Sequence, residues 1–431
     1  MPQPICYLLV ALLLLPLLSA QAAEPYGYPL HNPFEATIAG TPQPLMPPLP
    51  NDKQIDEKDY SLKLLPARAH ALPDNFWPVK HFSYRLARQQ QEAPLIFIIA
   101  GTGARYDAAS MEFLKKLFYG AGFHVVQLSS PTSYDFMVSA SVHATPGYSP
   151  LDAADLYSVM QRIRRQHDDL PVRSWHLTGY SLGALHAAFI SELDARQRAI
   201  GVQRTLLINP PVNLLTSVSN LDKMATVDIG DVPAGETFYQ SLLDRLARFF
   251  ERKGRFDLNE AMLFEFQQSS EGLNDEQLAL LIASVFRLAA TDINFVSDLL
   301  NRRGLFSAPE QRISDSTSLT PNFKLALMCD FNCYLREQLL PFWQAHYRPG
   351  GTLEQLVQAT SLYAVEQHLR NNPNIAALHN ANDIILGAGD LDYLHEVFGQ
   401  RLTLYPVGGH LGNMAFHTNA ADILEFFDAH L

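Results

Sequence analysis

The sequence predicts an α/β protein: a doubly wound, mostly parallel sheet that carries a large all-helical insertion. The first observation is a continuous apolar run at Leu95–Ala100 (LIFIIA), which is typical of a strand buried on both faces of a parallel sheet. The second is that strand and helix patterns alternate along most of the chain. The third is that this alternation stops between about residues 216 and 370, where the patterns are helical.

The predicted strands and helices follow one another in a regular order. A helix is predicted at Met111–Tyr119, directly after the first buried strand. Further strands are predicted at His124–Ser129, Trp175–Thr178, Thr205–Asn209, Ile375–Leu378 and Leu402–Tyr405. The α/β core is therefore assigned to residues 57–215 and 371–431.

Residues 216–370 interrupt this core, and we expect them to form a helical cap over the edge of the sheet where the strands end. Asn274 with Gln277 forms a capping-box pattern ahead of the apolar sequence LALLIASVFRLAA. An apolar stripe at helical spacing comprises Phe238, Leu242, Leu246, Phe249 and Phe250. A surface for partner proteins, unrelated to catalysis, is the alternative interpretation of this block.

The N-terminus combines an export pattern with a proline-rich segment. An apolar run from Ile5 to Leu18 precedes small residues at Ala22 and Ala23, which predicts a signal peptide at 1–23 and a periplasmic or secreted protein. Because no Lys or Arg precedes the run, an uncleaved anchor that holds the protein at a membrane is the alternative. Residues 24–56 carry eight prolines, a density that predicts an extended linker or a surface strap without helix.

Composition excludes some classes of protein. The chain has 431 residues, of which 47% are hydrophobic, and a net charge of −12. The apolar fraction argues against global disorder, and the negative charge argues against a nucleic-acid partner, because phosphate binding requires clustered basic side chains. Cys6 lies in the predicted signal peptide, which leaves Cys329 and Cys333. These two form a disulfide or remain two buried thiols, and a metal site would need more ligands.

The strongest chemical pattern is Gly179-Tyr180-Ser181-Leu182-Gly183, a G-x-S-x-G placed between a predicted strand and the helical run Ala184–Ile190. A serine on such a sharp strand-to-helix turn has a strained backbone that pushes its hydroxyl out of the sheet. Side chains two positions away on either side would collide in the turn, which explains both glycines. Ser181 is therefore the candidate nucleophile.

A serine hydroxyl needs a base to remove its proton, and that base needs an acid to fix its tautomer. His410 lies in the glycine-rich sequence GGHLG after the last predicted strand and is the candidate base, with His417 as the weaker alternative. Asp383 follows the strand Ile375–Leu378 and is the candidate acid. Its rivals, Asp390 and Asp392, begin a predicted helix, where acidic residues are ordinary. His379 is interpreted as a strand-end residue.

A developing oxyanion needs two N–H donors. Leu182 supplies one, and the small-residue loop AGTGA after the first buried strand supplies the other, from Thr102 or, second, from Gly103. The rival interpretation is a dinucleotide or phosphate loop. That interpretation fails because Tyr106 stands where G-x-G-x-x-G requires glycine.

Taken together, the loop AGTGA, the turn GYSLG, the acid in NAND and the base in GGHLG resemble the α/β-hydrolase superfamily. The resemblance covers roughly residues 57–215 and 371–431, and its Ser, Asp, His order is the superfamily's. It implies a catalytic triad, an acyl-enzyme intermediate, no metal or organic cofactor, and a cap inserted after Thr205–Asn209. The chain departs from the superfamily at Ala100, where a histidine before the glycine is frequent, and this departure leaves the subfamily open.

Three functions follow as expectations. The first is an exported hydrolase of carboxylic esters or thioesters, acting on a small-molecule or lipid-like acyl substrate. The second is a peptidase or amidase with the same triad. The third is a non-catalytic, hydrolase-like binding module of the cell envelope, which would have no need of all three triad residues.

Overall fold

A computed structural model describes residues 26–72, 74–225, 272–308, 310, 313–314 and 317–428. The predicted signal peptide at 1–23 and the apolar stripe from Phe238 to Phe250 lie outside the described residues. The boundaries of the predicted core and cap remain predictions.

In the described part of the chain, one mostly parallel sheet contains eight strands. Their bounds are β1 (Glu57–Leu62), β2 (Phe82–Ala87), β3 (Ala93–Ile99), β4 (His124–Leu128), β5 (Val172–Tyr180), β6 (Val202–Ile208), β7 (Ile375–Asn380) and β8 (Leu402–Tyr405). They lie side by side in the order β1-β2-β4-β3-β5-β6-β7-β8. β2 runs antiparallel to β1 and β4, and all pairs from β4 to β8 are parallel. This is the predicted fold class.

Helices cover both faces of the sheet. The described helices before β6 are α1 (Pro33–Ala39), which precedes the core, and α2 (Pro66–Ala71), α3 (Ala109–Gly120), α4 (Tyr134–Ser139), α5 (Ser149–Gln166) and α6 (Leu182–Gln197). After β6 come α7 (Leu214–Met224), α8 (Asp275–Asn301), α9 (Thr320–Leu327), α10 (Phe331–Tyr334), a π-helical turn (Leu335–Leu339), α11 (Leu340–His346), α12 (Leu353–Thr360) and α13 (Glu366–Asn371). The chain ends with α14 (Asp390–Phe398) and α15 (His417–Phe426).

Each face of the sheet has its own apolar core. One face packs against α5 and α6, through side chains such as Leu156 and Leu185. The other packs against α3 and α15, through side chains such as Phe118 and Ile423. Because both faces are covered, β3 is buried along its whole length, which explains its uninterrupted apolar sequence.

The two antiparallel strands at the edge were not among the predicted strands. β1 has the sequence EKDYSL and is mostly exposed, so its polar residues hide it from a search for apolar runs. It is held instead by a six-residue ladder to β2.

The N-terminal strap, which we define as residues 24–56, departs from its prediction. The expectation that its prolines exclude helix is wrong at α1, which begins at Pro33 after the N-cap Asn32. Proline at the first helical position loses no hydrogen bond, because that N–H has no partner within the helix. The next proline is Pro42, beyond the end of α1. The strap therefore has a folded segment that can contact other elements specifically.

Between β6 and β7 the described residues form helices and connecting loops, as predicted for a cap. The capping box of Asn274 and Gln277 begins the 27-residue helix α8. A Cβ added at Gly103 would lie 3.0 Å from the Cβ of Ala289, so α8 crosses directly over the loop that follows β3. By length and composition α8 could span a membrane, but half of its most apolar stretch is buried inside the protein.

Of the two states predicted for the cysteine pair, a disulfide or two buried thiols, the structure has the disulfide. Cys329 and Cys333 form a disulfide, with their Cα atoms 5.2 Å apart. The bond closes a tight loop at the start of α10, beside the N-cap Asp330.

Candidate active site

The backbone at Ser181 has the strained conformation predicted for a nucleophile between a strand and a helix. Its φ of 53° and ψ of −127° lie between the end of β5 and the start of α6. A Cβ added at Gly179 would lie 2.4 Å from the carbonyl of Gly183, and one added at Gly183 would lie 2.2 Å from the carbonyl oxygen of Ile99. Real Cβ atoms do not approach other atoms so closely, so both glycines are required by the packing of this turn on β3.

Ser181, His410 and Asp383 meet at the carboxyl edge of the sheet. The Ser181 Oγ lies 2.9 Å from Nε2 of His410, and the His410 Nδ1 lies 3.1 and 3.0 Å from the two carboxylate oxygens of Asp383. All three residues are buried. In this geometry the Ser181 hydroxyl donates to Nε2 while Nδ1–H donates to Asp383, an arrangement that can transfer a proton from serine to histidine.

Asp383 is held ionised although it is fully buried. Its Oδ2 accepts a hydrogen bond from the Asn209 side chain at 2.8 Å, and its Oδ1 accepts one from the Ile385 backbone N–H at 3.1 Å. Burial raises the pKa of Asp383, but the interactions with His410 and His379 and the hydrogen bond from the Ile385 N–H together outweigh burial and hold that pKa below its usual value. An ionised acid can stabilise an imidazolium at His410.

The strap holds the loop that carries His410. The Thr37 Oγ1 accepts a hydrogen bond from the His410 backbone N–H at 2.8 Å and donates one to the Pro33 carbonyl at 2.6 Å. A Cβ added at Gly409 would lie 2.2 Å from the Pro33 carbonyl oxygen, and one added at Gly412 would lie 2.0 Å from that of Ala36. The glycines beside His410 therefore allow the backbone of α1 to pack closely against this loop. The sequence pattern did not reveal this contact.

A second set of contacts ties the His410 loop to the end of β7. Asn380 and Asn413 exchange side-chain hydrogen bonds of 2.8 and 2.6 Å, and Asn380 also donates to the Gly409 carbonyl at 2.8 Å. The Gly409 N–H donates to the Asn382 side chain, which in turn donates to the His31 carbonyl of the strap. These asparagines fix the base relative to the strand that positions its acid.

The alternative residues for base and acid occupy different environments, and one of them, His379, has its Nδ1 3.7 Å from the Asp383 Oδ2. His417 is exposed at the start of α15. His379 is buried at the end of β7, where burial lowers its pKa, and its ring lies between the Asn380 N–H and the Pro210 carbonyl, which indicates a neutral side chain. Asp390 accepts a hydrogen bond from the Gly387 N–H within the turn that begins α14, and Asp392 is exposed on that helix.

The loop after β3 packs against the nucleophile. A Cβ added at Gly101 would lie 3.3 Å from the Ser181 Cβ. Gly103, the second-choice donor for the oxyanion, already donates its N–H to the Thr132 hydroxyl at 2.8 Å. Within the described residues, the N–H groups of Thr102 and Leu182 bond to no protein acceptor, so these two remain the candidate donors.

Two spaces of different size lie next to residues of this site. An apolar cavity of about 70 Å³ lies between the core and the cap helices, beside Thr102 and Leu182. Its other walls include Leu214, Leu215, Val218, Ile293, Tyr334 and Leu339. A wider groove of about 550 Å³ runs along His410, the strap and α3.

The mostly parallel sheet, the strained serine turn and the Ser, Asp, His order of the meeting residues define an α/β-hydrolase fold. No protein-family model matches the chain, and no curated protein sequence matches it.

Three solved structures illustrate what the chain is similar to. One is an esterase from Pyrococcus furiosus, at 11% identity and TM-score 0.39, with 89% of this chain and 97% of the esterase covered. Another is the thioesterase domain from the curacin biosynthetic pathway, at 12% identity and TM-score 0.37, covering 85% of this chain and 97% of that domain. The third is a bacterial membrane phospholipase A, at 14% identity and TM-score 0.38, covering 86% of each chain. Values this low carry no information about substrate.

Among the described residues, no group of three or more His, Cys, Asp or Glu side chains could hold a metal ion.

We expect Thr37→Val to lower kcat by roughly 5- to 100-fold, because a buried N–H left without an acceptor costs about 1–3 kcal/mol and the His410 loop would shift to relieve it. Thr37→Ser keeps the acceptor oxygen and should retain kcat close to the wild type. Steady-state kinetics on a short-chain p-nitrophenyl ester measures both variants. A fall in thermal stability with kcat unchanged would mean that Thr37 serves folding only.

Proposed function

We propose that this protein is an exported serine hydrolase that cleaves carboxylic esters or thioesters through an acyl-enzyme intermediate. The observation that carries the proposal is the 2.9 Å contact between the Ser181 Oγ and Nε2 of His410, with His410 itself bonded to Asp383. The strained backbone at Ser181 supports it, because a serine with only a structural role has no need of that conformation.

The reaction follows from this geometry. His410 removes the Ser181 proton as Oγ attacks the acyl carbon, and the N–H groups of Leu182 and Thr102 stabilise the oxyanion. The imidazolium, stabilised by Asp383, then donates its proton to the departing oxygen or sulfur. Water, activated by the same His410, releases the acyl group from Ser181.

The apolar cavity beside Leu182 supports an acyl substrate over a peptide. Its walls are mainly aliphatic side chains and the rings of Phe331 and Tyr334, with three threonines among them, and the Tyr334 hydroxyl donates to the Pro146 carbonyl. An apolar acyl chain loses no hydrogen bonds on entering such a cavity, whereas a peptide would leave its polar groups without partners.

Export is supported by two features. Residues 1–23 have the order of an apolar run followed by small residues that secretory signals have. The Cys329–Cys333 disulfide is of the kind that persists in oxidising compartments. We propose that the mature protein works outside the cytoplasm, in the periplasm or beyond, with tethering by an uncleaved N-terminus as the alternative.

We expect Ser181→Ala to abolish both turnover of short p-nitrophenyl esters and covalent labelling by a fluorophosphonate probe, since the probe reacts only with an activated serine. The matched control is Ser191→Ala, because Ser191 also contacts a histidine, with its Oγ 3.1 Å from Nε2 of His368, but lies within α6. Ser191→Ala should retain full labelling. Labelling of Ser181→Ala at the wild-type level would refute the proposal.

We expect Asp383→Asn to lower kcat by roughly 1,000- to 10,000-fold, because an amide in this position favours the wrong tautomer of His410. Asp390→Asn is the control, since its side-chain oxygen can still accept from the Gly387 N–H, and it should stay within a few-fold of the wild type. The pair is compared by kcat/KM on one ester. The reverse ranking would make Asp390 the acid.

A further inference from the structure

We propose that the groove along His410, the strap and α3 binds the leaving group of the substrate, and that this enzyme removes a short acyl group from a bulky, amphipathic alcohol or thiol. The inference rests on the proposed hydrolase function and goes beyond it, because it assigns the two halves of the substrate to two parts of the protein. The strap then belongs to the substrate-binding site.

The position of His410 decides which space binds the leaving group of the substrate and which binds its acyl group. When the tetrahedral intermediate collapses, the bond between the acyl carbon and the leaving oxygen or sulfur breaks. The electron pair goes to that leaving atom, which takes the proton from Nε2 of His410. The leaving atom must therefore lie within hydrogen-bond distance of His410, which forms part of the groove wall. The separate cavity beside the candidate oxyanion donors Thr102 and Leu182 is left for the acyl group.

The sizes of the two spaces differ widely. The acyl cavity has a volume of about 70 Å³ and the groove one of about 550 Å³. The smaller volume suits an acyl chain of a few carbons, while the larger one suits a leaving group larger than a simple alcohol.

The walls of the groove indicate an amphipathic leaving group. Apolar side chains come from four different segments, namely Met46 and Leu49 of the strap, Phe113 of α3, Phe286 of α8, and Leu411 with Met414 after the base. At the rim of the groove, the Lys116 amine lies 2.7 Å from a carboxylate oxygen of Asp52. The Asp52 side chain is largely exposed. Side chains of this kind would bury an apolar body while polar groups of the ligand remain near solvent.

The strap shapes the groove and also holds the base. Residues 37–41, together with Met46 and Leu49, form one wall, and the same segment supplies the Thr37 oxygen that accepts from the His410 N–H. The strap is anchored by a separate apolar cluster of Tyr28, Leu30, Ala36, Ala39 and Phe416, of which Ala39 also lines the groove. This wall is therefore a folded surface that can distinguish one leaving group from another.

The test compares two butyrate esters whose alcohols have similar leaving ability, ethyl butyrate and 2-(2-naphthyl)ethyl butyrate. For the wild type we expect kcat/KM to be at least 10-fold higher for the naphthylethyl ester. We also expect naphthylethyl laurate to react at least 10-fold more slowly than naphthylethyl butyrate, because its acyl chain exceeds the small cavity.

Filling the groove should remove this selectivity. Ala109 is exposed at the first position of α3 and lies in the groove wall, so Ala109→Trp can be accommodated without repacking the core. We expect this variant to lower the ratio of kcat/KM for the naphthylethyl ester to kcat/KM for the ethyl ester at least 10-fold. Met46→Trp, from the opposite wall, should lower the same ratio. Ala195→Trp, at an exposed position on α6, is the matched control and should leave the ratio unchanged.

The outcomes separate this inference from the proposed function. If the wild type neither reacts with the fluorophosphonate probe nor hydrolyses any ester, the hydrolase proposal fails. If the probe labels Ser181 but the wild type shows no preference for the bulky alcohol, or both groove variants slow the two butyrates equally, the assignment of the groove is wrong while the hydrolase proposal stands.

Discussion

The close packing of the turn at Ser181 against β3 is the constraint on which the rest of the site depends. Gly183 approaches the carbonyl of Ile99 so closely that only glycine fits, and this contact fixes the start of α6 against the sheet. The backbone at Ser181 has a conformation that a non-glycine residue rarely adopts. The free energy of this strain is offset by the burial of β5 and α6, which precede and follow the turn. Ser181 is consequently presented at the sheet edge in one orientation.

A nucleophile fixed in this way is useful only if its base is fixed as well. His410 lies in a loop rich in glycine, which by itself would have many conformations. Contacts from two separate segments restrict the loop to one conformation. The strap supplies Thr37 and the α1 backbone, while the end of β7 supplies the paired asparagines and Asp383. The three residues of the site thus meet because segments far apart in the chain converge on one loop.

Different elements surround the site near Thr102 and Leu182 and near His410. The cap helices close over Thr102 and Leu182 and leave a small apolar cavity, whereas the strap and α3 leave a wide groove beside His410. The core positions Ser181, Asp383 and His410, whereas elements outside the sheet shape these two spaces. This division agrees with the general observation that one fold hosts many functions through the elements placed around its site.

The sequence alone determined the fold class, the six strands from β3 to β8, and the candidates Ser181, Asp383 and His410, because each of these depends on local patterns: apolar runs, a glycine-flanked turn, and polar residues at strand ends. It did not determine β1 and β2, whose polar residues are stabilised by pairing, nor the helix at Pro33–Ala39 within the strap. Only the tertiary structure decided that Thr37, Asn209 and the Asn380–Asn413 pair support the site, and that Gly103 uses its N–H on Thr132. Such hydrogen bonds join residues 29 to 373 positions apart, and no pattern of neighbouring residues encodes them.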